Sequence, residues 1–67
     1  MDSTTKLTLR TWRVSLKVSV DDMAKSCGVH PNTYREWEKH PDRISVAQAE
    51  KLADKLGVHI GQIIFKP

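Results

Sequence analysis

Cysteine is nearly absent from this chain. Cys27 is the only one among 67 residues, so no internal disulfide is possible and the fold must rest on packing, as in reduced cytosolic proteins. Long apolar runs are missing as well. None approaches the roughly 20 apolar residues that span a bilayer, and no membrane segment is expected. The opening Met1-Asp2-Ser3-Thr4-Thr5-Lys6 lacks the apolar stretch behind a basic start that marks a secretory leader, and the expected location is the cytoplasm. His30, His40 and His59 stand with Cys27 at spacings that match no metal signature. No nucleophile is paired with a base and a glycine-rich loop. No metal, cofactor or catalysis is therefore expected. Repeats and low-complexity stretches are missing, and the alternation of a strand is absent apart from an ambiguous Lys6 to Leu9.

The residues present describe one small domain near the lower limit of what a single core stabilises. Hydrophobic residues make up 39% and charged residues 28%, an ordinary globular balance, and the net charge of +3 suits a polyanionic partner without implying one. Residues 1–6 are expected to form a flexible arm and residues 7–67 a single domain. Leu9, Trp12 and Leu16 share one face of a first helix. Ser19, followed by the acids Asp21 and Asp22, caps a second helix from Val20 to about Cys27, with Met23, Ala24 and Cys27 inward. Gly28 suits a left-handed helix end and Pro31 the first position of a new helix, so the chain turns sharply into a third helix with Tyr34 and Trp37 inward. Lys39 ends it, because His40 precedes a proline. Ser45 to Gln48 reads as a capping box for a fourth helix, whose apolar period runs through Val46, Ala49, Leu52, Ala53 and Leu56 to Gly57. Ile60, Ile63, Ile64 and Phe65 suggest a short fifth helix. The fold class is all-α, a compact bundle of about five short helices.

A helix, a glycine turn and a second helix, with the small Ala24 where their backbones approach, make a helix-turn-helix over about residues 20–39. The third helix is short and polar outside Tyr34 and Trp37, and DNA base edges are what such a face can address.

Four stretches in order, L-R-T-W-R-V (Leu9 to Val14), V-S-V-D-D-M-A (Val18 to Ala24), G-V-H-P-N-T-Y-R-E-W-E (Gly28 to Glu38) and A-E-K-L-A-D-K-L-G-V-H-I-G-Q-I-I-F (Ala49 to Phe65), resemble the Cro/repressor-type helix-turn-helix family of phages and bacteria. The resemblance implies a lambda repressor-like DNA-binding domain. It departs from the family at Val20, where glutamine is usual, at His30, where serine or threonine caps the helix, and at Tyr34, which replaces a branched aliphatic residue.

The resemblance points the first exposed turn of helix three into the major groove. It implies base contacts by Asn32 and Arg35, whose chemistry suits adenine and guanine respectively; the plain alternative is a solvated polar face. Glu36 either accepts from cytosine or repels phosphate. Pro31 meets a thymine methyl or serves only as a helix start. Thr33, Arg43, Lys17 and Lys39 are the implied phosphate contacts, and Arg13 with Glu38 matches a structural salt bridge between helices one and three. The implied partner is a double-stranded operator, bound as a homodimer joined through Ile63, Ile64 and Phe65. The implied role is transcriptional repression of phage or mobile-element type. The rival from another class is a protein-interaction module on the same fold, such as an antirepressor or an antitoxin-like subunit, suggested by Val20 and the acids Glu36 and Glu38.

Overall fold

The computed structural model describes residues 5–66. Its four α-helices are α1 (Leu9–Ser15), α2 (Val20–Cys27), α3 (Pro31–Lys39) and α4 (Val46–Leu56), and single 3-10 turns follow α3 (Pro41–Arg43) and α4 (Ile60–Gln62). Each α-helix begins on a side-chain cap. The hydroxyls of Thr8, Ser19 and Ser45 accept from the backbone N–H of Thr11, Asp22 and Gln48, satisfying donors that a helix start otherwise leaves open. At Ser45 the capping box forms only in this half, because the side-chain oxygen of Gln48 is buried without a hydrogen-bond partner.

Three helices end in the same way. After α2, Gly28 is left-handed (φ 67°), with its N–H on the Lys25 carbonyl and the Val29 N–H on that of Ala24. Gly57 (φ 73°) repeats the arrangement after α4. After α1 the left-handed residue is Lys17 (φ 57°), with its N–H on Val14 and the Val18 N–H on Arg13. All three are Schellman closures, a motif in which glycine avoids the steric cost that a Cβ brings.

The core gathers Leu9 and Trp12 of α1, Met23, Ala24 and Cys27 of α2, Tyr34 of α3, Leu52, Ala53 and Leu56 of α4, and Ile63. Leu16 and Val46 keep helical period but lie outside it: Leu16 is 39% exposed because α1 has already turned back at Lys17, and Val46 is 71% exposed at the first position of α4, beyond the edge of the packed layer. Trp37 is half-buried against the core, and its ring meets Tyr34 edge-on with centroids 6.4 Å apart.

The segment expected as a fifth helix is a 3-10 turn followed by a strand. Ile63–Ile64 (β2) pairs in parallel with Leu7–Thr8 (β1), Leu7 opposite Ile63 and Thr8 opposite Ile64. Strand alternation sends Ile63 into the core and Ile64 outward. Gln62 locks this end of the molecule. Its backbone carbonyl accepts from the Trp12 indole N–H at 2.8 Å, its side-chain oxygen accepts from the His59 N–H at 3.0 Å, and its amide nitrogen donates to the Thr5 carbonyl at 3.4 Å. Of the expected N-terminal arm, residues 1–4 lie outside the described residues, while Leu7 and Thr8 belong to the ladder.

Candidate nucleic-acid interface

The candidate interface lies on α2 and α3, which pack against each other through a three-residue turn, residues 28–30. Ala24, expected where the helices approach, is buried and only 1% exposed. His30 stands where a hydroxyl cap is usual and closes the helix start equally well, since its Nδ1 accepts from the Asn32 N–H at 3.0 Å. An accepting Nδ1 leaves the other ring nitrogen carrying the proton. Pro31 then occupies the first helical position, where its missing N–H costs nothing. Its side chain is half-buried.

Inside α3, Tyr34 is fully buried and its hydroxyl donates to Glu38 Oε2 at 2.6 Å. Arg13 Nε donates to the same oxygen at 2.6 Å, Arg13 Nη2 reaches Oε1 at 3.4 Å, and Arg13 Nη1 donates to the Val18 carbonyl at 3.2 Å. The Arg13–Glu38 pair thus ties α1, the turn after it and α3 together. Burial, and then the bond to Glu38, raise the Tyr34 pKa well above its ordinary value, and the hydrogen bond to Glu38 raises that of Arg13. The Tyr34 hydroxyl joins a pair that the sequence suggests only as Arg13 with Glu38. The signal for it is the i, i+4 spacing of Tyr34 and Glu38, which puts the two side chains over one turn of helix.

With its inner face anchored in this way, α3 turns Asn32, Thr33, Arg35, Glu36 and Lys39 to solvent. Arg35 Nη1 donates to Asn32 Oδ1 at 2.8 Å, a bond that could be sought from their i, i+3 spacing but not read from it. Lys39 Nζ lies 3.9 Å from Glu36 Oε1, which offsets the acid on this face. Arg43 is exposed in the 3-10 turn that packs beside α3. Lys17 stands exposed in the turn that precedes the Ser19 cap of α2. Val20 is half-buried against the core and offers neither a donor nor an acceptor in its side chain. Of the three C-terminal apolar residues, Ile63 is buried, Phe65 half-buried and Ile64 37% exposed, so only the last two present surface.

Among the described residues, no three His, Cys, Asp or Glu side chains gather as a metal site requires, and no helix is long and apolar enough to cross a membrane. Cys27 is buried, with its sulfur 3.8 Å from the Ser26 hydroxyl. What the arrangement offers is a polar, cation-bearing helix face bonded from behind to Arg13 and Glu38.

A family model described as helix-turn-helix matches residues 9–63. No curated protein and no solved structure matches the chain.

Proposed function

The chain belongs to the Cro/repressor-type helix-turn-helix family of DNA-binding domains, and on that premise we propose that it is a sequence-specific regulator of transcription, a repressor of phage or mobile-element type, that places α3 in the major groove of its operator. The observation that carries the reading is the exposed face of α3, held in place from behind by the Arg13–Glu38–Tyr34 network. A reader must keep its side chains in register with base edges, and a helix anchored by buried groups does so without ordering itself at the moment of binding.

In this reading Asn32, Arg35, Glu36 and Pro31 meet bases, while Thr33, Arg43, Lys17 and Lys39 meet phosphates. Arg13 and Glu38 remain structural, since both side chains are mostly buried and already bonded to each other. The few base contacts available to one domain favour two copies on half-sites a helical turn apart. Ile64 and Phe65 are the surface through which we pair them. The protein then works as a binding module rather than an enzyme, in the compartment that holds its duplex.

Salt titration of duplex affinity tests the proposal. Phosphate neutralisation predicts a steep loss of affinity as salt rises, and Arg43→Ala should flatten the slope of log K against log salt by about 1 while weakening all duplexes alike. An affinity for duplex that is absent, or indifferent to salt, would leave the protein-interaction module as the function of this fold.

A further inference from the structure

Asn32 and Arg35 are not two independent side chains. The guanidinium of Arg35 bonds the carboxamide oxygen of Asn32 at 2.8 Å across one turn of an exposed helix face. The neighbouring acid does not compete for it, because Glu36 lies beside Lys39 instead. Arginine has donors and no acceptor, so it dictates which end of the amide faces it. Asn32 Oδ1 is turned toward Arg35 and its NH2 group is left outward, with one lone pair of the oxygen still open.

That residual pattern, a donor beside an acceptor, is what the adenine N7 and N6 edge requires, and the unused N–H groups of Arg35 still form the fork that fits guanine O6 and N7. The separation also constrains the target. Side chains bonded to each other keep their remaining donors and acceptor close together, and with bases stacked roughly 3.4 Å apart the pair is confined to neighbouring base pairs. We propose that Asn32 and Arg35 form one reading unit for adjacent adenine and guanine in each half-site, in which Arg35 contacts guanine and also orients the amide that reads adenine. The inference rests on the DNA-binding reading above and adds to it the coupling of the two contacts on adjacent base pairs and a positioning role for Arg35.

Coupling distinguishes this unit from two separate readers. A free carboxamide can present either end outward, so removal of Arg35 should relax adenine recognition although Asn32 remains. The experiment selects bound sites from random duplexes with wild type, Asn32→Ala, Arg35→Ala and the double variant, then measures affinities for the selected site and its single-base changes at one fixed salt concentration. The wild type should select adjacent adenine and guanine in each half-site. Arg35→Ala should lose preference at both base pairs, and the two single-variant losses multiplied together should exceed the loss of the double variant at least tenfold. Unfolding midpoints should coincide for all four proteins, because both side chains are exposed.

If Arg35→Ala relaxes the guanine pair alone, and the single losses multiply to within about twofold of the double, as independent sites do, the unit does not exist. Salt-dependent binding by the wild type without preference at neighbouring base pairs overturns this inference and leaves the DNA-binding reading standing. A wild type that binds no duplex overturns both.

Discussion

Lys17 occupies a backbone conformation that the two equivalent helix ends give to glycine. Left-handed geometry costs a residue with a Cβ roughly 1–2 kcal/mol, and glycine would return about half of that gain through its greater freedom when unfolded. Lys17→Gly should therefore stabilise the domain by about 0.5–1 kcal/mol, visible as a higher urea midpoint at an unchanged m-value. If the lysine meets a phosphate as proposed, the same variant should bind every duplex more weakly. A position that trades stability for contact in this way is where backbone strain is usually found. A second residue-scale consequence concerns Tyr34. Burial raises its pKa above the ordinary 10.0, so the unfolded chain releases the phenolic proton first. The stabilisation is complete below about pH 10 and declines above it, by up to about 1.4 kcal/mol per pH unit contributed by this group. Denaturant midpoints measured from pH 8 to 11 should fall more steeply in wild type than in Tyr34→Phe, which lacks the titrating hydroxyl.

Among the elements, α3 depends on an imidazole where a hydroxyl is customary. His30→Ala should cost about 1 kcal/mol and speed hydrogen exchange at Asn32, whose N–H loses its acceptor, and His30→Ser should restore most of both. The helices are legible in the sequence because their signals are local. Caps at Ser19 and Ser45, glycines at 28 and 57, and inward positions three or four apart place α2, α3 and α4 where the structure has them. What lies beyond local signals is where each element stops touching the core. Leu16 keeps the period of α1, but the chain reverses at Lys17, a residue that carries no turn signal. Val46 keeps the period of α4 but precedes the packed layer. The run Ile63-Ile64-Phe65 fits a helix or a strand equally, and its strand is decided by backbone partners at Leu7 and Thr8, far away in sequence. At the candidate interface, the exposed residues of α3 follow from helical geometry once Tyr34 and Trp37 are known to face inward. The Asn32–Arg35 bond and the Tyr34 hydroxyl contact depend on rotamers, about which residue spacing says little.

For the molecule as a whole, the β1–β2 ladder determines how tension would travel. The strands are parallel and lie near opposite ends of the described chain, so pulling the two ends apart slides one strand along the other and loads the ladder bonds together instead of opening them one at a time. With only two residues in each strand, this clamp is short and is the first element to carry the load, assisted by the Trp12 indole bond to Gln62. The α2–α3 pair lies outside the loaded path until the clamp fails. A single-molecule tether attached at both ends should therefore record a low-force rupture that frees the terminal strands, then a second event in which the helices unravel. Trp12→Phe, which removes the indole donor, should lower the force of the first event alone. A domain pulled by fusions at both of its ends would thus give way first at the seam joining them, with the α2–α3 pair still in place.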